Sequence, residues 1–380
     1  MYEVTEDQRS LVELVSQFAT EELAPHAAEW DETHYFPVDV LAKAGALGMG
    51  AIYAREDFGG SGLSRTDAVL IFEELAKGDT TIASYISIHN MVTWMIDGYG
   101  DDAQCAEWIP RLASMEALGS YCLTEPGVGS DAGALSTRAT RDGGDYVING
   151  VKQFISGAGT SAVYVVMART ADTGSRGISA FIVPDGTPGL SFGPLEKKMG
   201  WHAQPTRQVL FDDLRIPAAN LLSSEGDGFG IAMTGLNGGR VNIGACSLGG
   251  GQSALDQTVR YLTDRVAFGK QLIENPALLF QLADMDTQLE AARTLLHRAA
   301  QAMDDKSADL VRLCAMAKLV ATDAGFAVAN TALQLHGGYG YLSEYGIERI
   351  VRDLRVHQIL EGTNEIMRLI VGRSLAGAKQ

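Results

Sequence analysis

Cysteine is scarce in this chain: Cys105, Cys122, Cys246 and Cys314 are the only four in 380 residues, and no two form a CxxC pair. That spacing excludes a disulfide framework and argues against a structural zinc site. A reducing compartment follows, and a cytoplasmic location is the expectation, or the mitochondrial matrix in a eukaryote. The seven histidines never fall into HxxxH or HExxH, no GxxxxGK[ST] occurs, and no serine sits in GxSxG. Zincin, P-loop and hydrolase-elbow chemistries are therefore set aside. No uninterrupted apolar run is long enough to span a bilayer. Basic residues are also short in supply, 30 Lys+Arg against 47 Asp+Glu, for a net charge of -17. Such a surface repels polyanions, so neither nucleic acid nor an anionic membrane is expected as a partner. The opening "MYEVTEDQRS" is acidic and has no apolar run, so neither a signal nor a transit peptide is expected.

What is present, 46% hydrophobic and 20% charged residues over this length, suits a soluble globular chain of two or three subdomains. From Ser10 to about Ala117 the apolar spacing is helical: Leu11, Leu14, Val15 and Phe18 form one stripe, and "SRTD" at 64 to 67 reads as a helix start. From Tyr121 the pattern changes to β-rich runs, "VYVVM", "ISAFIV" and "RQVLF", with "DGG" at 142 to 144 and "NG" at 149 to 150 read as tight turns. Beyond Gly226 long helical patterns return, from Phe229 to Arg265, Leu278 to Met303, Ala308 to Leu335 and Glu365 to Leu375. The expected fold class is α+β: helices at 1–120, a β domain at 121–225, helices again at 226–380.

Several segments carry candidate chemistry. The helix from Phe229 holds Gly235, Gly238, Gly239, Gly244, Gly249, Gly250 and Gly251, each costing up to roughly 1 kcal/mol relative to alanine. Either close helix packing or close approach to a bulky ligand offsets that. Arg240 stands beside two of these glycines, and an ion pair or a ligand contact explains it equally well. "SYCLTEPGVGSDAG", Ser120 to Gly133, contains the relaxed GxGxxG/A pattern. No βαβ unit surrounds it, so a dinucleotide fingerprint is disfavoured against a loop whose amides, Thr124 and Ser130 face a ligand. "QLHGGYGYLSEYGIERIVRD" pairs Gly337 with Gly338 at a helix end, either an anion-binding nest or a plain C-terminal cap. Arg265, near a helix end, complements the dipole without needing another role. Finally, Glu361 in "RVHQILEGTNE" follows Ile359 and Leu360 and precedes Gly362, where one helix should stop and another begin near Thr363. It is either an exposed loop charge or a base held at a break.

Taken in order, these segments resemble the acyl-CoA dehydrogenase family over nearly the whole chain, chiefly through "CLTEPGVGSDAG" and "QLHGGYGYLSEYGIERIVRD". The resemblance implies an N-terminal helical domain, a middle β-barrel-like domain and a C-terminal four-helix bundle that bind FAD and an acyl-CoA. Val128 departs from the small residue usual in the first motif, and Asn275 and Pro276 stand where glutamine is common. Carried over by position, Tyr121, Cys122, Leu123, Thr124 and Ser130 would line the flavin, with Phe154, Ile155 and Ser156 on its other side. From an adjacent subunit would come Arg265, Phe268 and the turn of Gln334, Leu335, His336, Gly337 and Gly338, with Thr363, Asn364 and Glu365 closing the site. A homo-oligomer, usually a tetramer, is thus implied. Ser130, Asn237, Gly238, Gly239, Arg240, Gly362 and Arg373 match acyl-CoA contacts.

The resemblance makes Glu361 the base that takes the substrate α-proton, with the β-hydride going to FAD and electrons to electron-transfer flavoprotein. Apolar surroundings would raise its pKa toward neutrality. Glu125 and Glu365 are the other candidates, and Glu125 is disfavoured because a turn carboxylate in "TEPG" is usually solvated. "SYISIHNMVTWMIDGYG", "SYCLTEPGVGSDAGAL" and "RVHQILEGTNE" resemble the branch of the family that acts on isobutyryl-CoA. Tyr85, Met91, Trp94 and Met95 would either block long acyl chains or simply pack the core. The alternatives kept open are 2-methylbutyryl-CoA or butyryl-CoA as substrate, an acyl-CoA oxidase, and a flavin-retaining member without catalysis or with a nucleic-acid role.

Overall fold

The computed structural model describes residues 4–377. Six helices come first: α1 (Glu6–Phe18), α2 (Ala27–Thr33), α3 (Val38–Ala46), α4 (Arg65–Gly78), α5 (Thr80–Tyr99) and α6 (Asp102–Ala113). Their starts are written locally. Thr5 and Gln8 form a reciprocal capping box at α1, Ser64 and Asp67 one at α4, the start expected at "SRTD", and Asp101 and Gln104 one at α6. Each satisfies two backbone N–H groups that the helix itself cannot. The buried positions of α5 run almost all round it, so it lies inside the molecule rather than on its surface.

The middle of the chain is one mixed sheet. Its strands are β1 (Gly119–Cys122), β2 (Arg138–Asp142), β3 (Asp145–Ser156), β4 (Val163–Arg169), β5 (Ile178–Pro184), β6 (Leu190–Phe192), β7 (Thr206–Pro217) and β8 (Leu221–Leu222). They lie in the order β6-β7-β3-β2-β4-β5-β8, with β1 paired parallel to β4. The "DGG" turn joins β2 to β3, with Asp142 opposite Asp145. The "NG" turn does not exist. Asn149 and Gly150 lie within β3 at a shift of register against β7, and Gly150 has φ 149°. A Cβ there would stand 2.5 Å from Thr137 Oγ1, so the glycine serves a bulge in close contact with the chain before β2.

The last part comprises α7 (Gly228–Asp264), the small hairpin β9 (Val266–Ala267) and β10 (Lys270–Gln271), α8 (Pro276–Asp304), α9 (Leu310–Leu335), α10 (Ile347–Arg355) and α11 (Asn364–Leu375). Asn275, one of the two departures noted above, is the N-cap of α8 and accepts from the Ala277 N–H, with Pro276 in the first turn. α7 is the axis of this region, and its glycines are explained mainly by packing. A Cβ at Gly249 would lie 2.1 Å from the Glu73 carbonyl oxygen, at Gly244 2.7 Å from Leu296, and at Gly251 3.0 Å from Leu289. Helices α4, α8 and α9 thus sit closer to α7 than alanine allows, and the ligand explanation is unnecessary for most of the run. Tyr85 also belongs to packing: it is fully buried, edge-on to Phe36, with its hydroxyl 3.3 Å from Ser161 Oγ. Met91 and Met95 instead meet α7 at Gly235.

Candidate active site

After α10 the chain makes a short 3-10 turn, Val356–Gln358, and α11 opens with Thr363 as N-cap, its Oγ1 accepting from the Ile366 N–H. Between them Glu361 and Gly362 both have positive φ, 55° and 92°. Glycine enters that region freely, whereas a glutamate there carries a strain of roughly 1–2 kcal/mol. The surroundings hold it. Arg240 Nε donates to the Glu361 carbonyl at 3.1 Å, and Arg240 Nη1 donates to Asn237 Oδ1 at 2.8 Å. Lys318 Nζ donates to the Gly362 carbonyl at 2.9 Å and to Asn364 Oδ1 at 2.8 Å. The Glu361 N–H makes no hydrogen bond among the described residues.

The carboxylate turns inward. Its Oε2 is buried without a hydrogen-bond partner among the described residues, and a Cβ at Gly239 would lie only 2.5 Å from it. Gly239 is therefore the glycine that makes room for this side chain. Gly238, one residue earlier, makes room for the Arg65 guanidinium, which lies 3.4 Å from the Tyr53 ring centroid. Burial raises the Glu361 carboxyl to about 7 against the opposing pull of Arg240 and Lys318. The Tyr121 hydroxyl, also buried without a partner, is raised well above its ordinary value, first by burial and then by the charge of Glu361. An unpaired carboxylate that is half protonated near neutrality, beside an unpaired phenol, has the properties of a proton acceptor awaiting a substrate.

Glu125 is not the solvated turn charge expected from "TEPG". Glu125 and Val128 exchange backbone hydrogen bonds across a tight turn, and the side chain points inward to Lys152, 2.9 Å away, with Ser136 and Thr137 donating to it as well. Its carboxyl is pulled down to about 2, because Lys152 and these donors outweigh burial. It is unsuited to be a base for that reason, not through exposure. Glu365 is exposed in the first turn of α11.

Of the residues that would line the flavin, Cys122, Leu123 and Ile155 are buried, Ser130 is exposed, and the Thr124 carbonyl accepts from the Gln153 N–H. Phe154 is 64% exposed at φ 60°, an apolar ring held outward in a left-handed conformation. Beside it Gln204 Nε2 donates to Ser156 Oγ, while Gln204 Oε1, Trp201 Nε1 and Arg207 Nε are buried with no partner among the described residues. An exposed ring and several orphaned polar atoms near the Ile155–Ser156 end of β3 suit a flat heteroaromatic group such as an isoalloxazine. A second cluster gathers elsewhere: Tyr261 stacks on His336 at 4.4 Å, and Arg265 lies 5.3 Å from the Tyr339 ring centroid. Gly337 and Gly338 are exposed there with open space at their Cβ positions, and Gln334 is exposed beside the buried Leu335. Phe268, at the tip of the β9–β10 hairpin, is 99% exposed. Arg373 is exposed on α11. Asn364 is different: its side chain is taken up by Lys318, Thr322 and Asp323, so only its backbone remains free for a ligand. The sequence reading passed over Lys318 and Lys152. The available signal was a lone lysine in an apolar run, "CAMAKLVA" and "INGVKQFI".

Models of the acyl-CoA dehydrogenase N-terminal, middle and C-terminal domains match residues 5–116, 120–214 and 226–376. The chain belongs to the acyl-CoA dehydrogenase family. The mitochondrial isobutyryl-CoA dehydrogenase of Bos taurus is 51% identical over 372 residues, 98% of this chain and 89% of that one. Butyryl-CoA dehydrogenase of Megasphaera elsdenii superposes with a TM-score of 0.96 at 37% identity, covering 99% and 100% of the two chains. A glutaryl-CoA dehydrogenase of Mycobacterium smegmatis solved in complex with FADH2 gives 0.93 at 30% identity, covering 99% and 96%. Acyl-CoA dehydrogenases are FAD-dependent oxidoreductases, and FAD is the cofactor of this chain. Among the described residues no helix is long and apolar enough to cross a membrane.

Within this family site the role of Gly239 is testable. Gly239→Ala is expected to push the Glu361 carboxylate aside and slow flavin reduction by roughly 10- to 100-fold, since small displacements of a reacting group have such effects. Anaerobic stopped-flow absorbance checks this, and an unchanged rate would mean that the carboxylate does not depend on that space.

Proposed function

We propose that this acyl-CoA dehydrogenase converts isobutyryl-CoA to methacrylyl-CoA, a step of valine breakdown, with Glu361 as the proton acceptor. The observation that carries the reading is the buried, unpartnered Glu361 oxygen, raised to about 7, on a strained break between helices. When bound, FAD supplies the acceptor for the substrate's β-hydride. The chain has to supply the rest. Glu361 takes the α-proton, and its free backbone N–H is a donor available to the thioester carbonyl as negative charge develops there. Arg240 and Lys318 keep part of the carboxyl population ionised in spite of burial. Phe154, Ser156, Trp201 and Gln204 are read as the flavin seam, and Arg265, Phe268 and the Gln334 to Gly338 turn as a contribution to another copy of the chain. Apolar groups left exposed at Phe268, Phe280, Tyr341 and Leu375 support a homo-oligomer, read as a tetramer.

The choice of acyl group rests on the similarity to isobutyryl-CoA dehydrogenase and on Met91 and Met95 packed against Gly235, four residues before Gly239 on the same face of α7. A pocket discriminates one methylene by only roughly 1–3 kcal/mol, so 2-methylbutyryl-CoA and butyryl-CoA should also react, more slowly. The test is anaerobic mixing of the holoenzyme with a panel of acyl-CoAs, followed by reoxidation. Isobutyryl-CoA is expected to show the highest kcat/KM, and electron-transfer flavoprotein to reoxidise the enzyme faster than oxygen does. A higher value for octanoyl-CoA would overturn the short branched assignment. Oxygen uptake keeping pace with turnover would make the protein an oxidase.

A further inference from the structure

We propose that Lys318 is a positioning residue for the proton acceptor: from inside α9 it fixes the peptide after Glu361 and places a positive charge beside that carboxylate. The inference rests on the reading of Glu361 as the base. Lys318 is fully buried in the middle of a helix, where an ammonium group is costly unless compensated. The other fully buried lysine among the described residues, Lys152, has its compensation in a direct ion pair with Glu125. Lys318 has none within salt-bridge distance among the described residues. Its hydrogen bonds go to two neutral oxygens, the Gly362 carbonyl and Asn364 Oδ1. A neutral donor could have tied down that carbonyl, so the charge itself calls for an explanation, and Glu361 is the carboxylate that most strongly favours it.

The same helix grips both sides of the strained pair. One turn beyond Lys318, Thr322 Oγ1 accepts from Asn364 Nδ2 at 3.0 Å. Asp323 Oδ1 accepts from Gln358 Nε2, before the break, and from Asn364 Nδ2, after it, both at 2.7 Å. Residues 318, 322 and 323 of one rigid helix therefore bracket Glu361 and Gly362, whose positive φ values need such over-determination to persist. The charged groups facing Glu361 are Arg240 from α7, Lys318 from α9 and, once ionised, Tyr121 from β1. Burial pushes the Lys318 ammonium down to about 8, with Glu361, Asp323 and Glu365 favouring its charged form and Arg240 opposing it. His357, pushed down to about 3 by burial and by Lys318, stays neutral through the working range.

The sign follows directly. A cation beside a carboxylate favours the ionised form, so loss of the Lys318 charge raises the Glu361 pKa and reduces the fraction able to accept a proton at neutral pH. In Lys318→Gln the acidic limb of the pH profile for anaerobic flavin reduction is expected to move up by roughly 1 pH unit, whereas Lys318→Arg should hold it near the wild-type position. Independent of activity, infrared difference spectra should show the Glu361 carboxyl stretch, assigned by its loss in Glu361→Gln, titrating at the higher pH in Lys318→Gln. A merely structural lysine would lower the rate at every pH and leave both titrations in place, which would overturn the proposal. Should Lys318→Gln fail to fold, Asp323→Asn tests the grip. It is expected to slow flavin reduction at least several-fold, and an unchanged rate would refute the bracketing by α9. If Glu361→Gln itself reduces the flavin normally, the reading of the base has failed, and that result is separate from any outcome at Lys318.

Discussion

Glu361→Gln is expected to fold and to retain FAD and ligand while losing flavin reduction by at least roughly 100-fold, the usual scale for removing a general base. The substitution keeps the size of the side chain and one carbonyl oxygen in the space left by Gly239, but it cannot take a proton. Among the described residues no nearby carboxylate is positioned to substitute. Glu125 is ion-paired to Lys152 and held to about 2, and Glu365 is exposed on α11. Stopped-flow bleaching by isobutyryl-CoA decides the matter, since an exposed loop charge would leave the rate alone. Stability carries a second signature. The folded carboxyl titrates at about 7, above the ordinary value of 4.5, so the folded state holds the proton more tightly than the unfolded state does. That contribution is in full force below about pH 4.5 and is lost as pH rises through 7. Glu361→Gln should therefore be more stable than wild type at pH 8, by on the order of 2 kcal/mol, and lose the advantage near pH 4. A wild-type protein as stable as the variant at pH 8 would mean that the carboxylate is not desolvated.

The second large effect is expected far from the proton transfer. Lys152→Met should destabilise the protein by roughly 3–5 kcal/mol, because it leaves the Glu125 carboxylate buried without its counter-charge. Lys152 Nζ also donates to the Leu123 carbonyl at 3.0 Å, so the variant frees the strand exit that carries Tyr121 to Thr124 as well. Glu125 has its folded pKa depressed to about 2, so in the wild type its contribution is present above the unfolded value and lost as pH falls from about 4.5 toward 2. Without Lys152 the main lowering influence is gone, so the deficit of the variant should be largest above about pH 4.5 and shrink as pH falls toward 2. Thermal unfolding from pH 3 to 8 checks this. Adding Glu125→Gln to Lys152→Met should recover part of the loss, since it removes the stranded charge. A variant within about 0.5 kcal/mol of wild type would show that water reaches Glu125 freely.

The order of helices, sheet and helices was legible because apolar spacing and capping residues are local: the Ser64 to Asp67 box and the "DGG" hairpin can be read within four or five residues. Glu361 was legible as a candidate for the same reason, an acidic residue set between an apolar pair and a glycine. What the chain does with "NG" at 149 to 150, with Glu125 and with the glycines of α7 was not legible. In each case the deciding contact comes from far along the sequence: Thr137 against Gly150, Lys152 against Glu125, Glu73 against Gly249, and Glu361 against Gly239 across 122 positions. Lys318 reads alone as one charge in an apolar helix. Only when α9 is laid beside the Glu361 break does its ammonium meet the Gly362 carbonyl. The sequence by itself thus determined the elements and the candidate for the proton acceptor. Tertiary structure alone decided which charges are desolvated, because burial and Coulomb interaction depend on distances in space that no local spacing encodes.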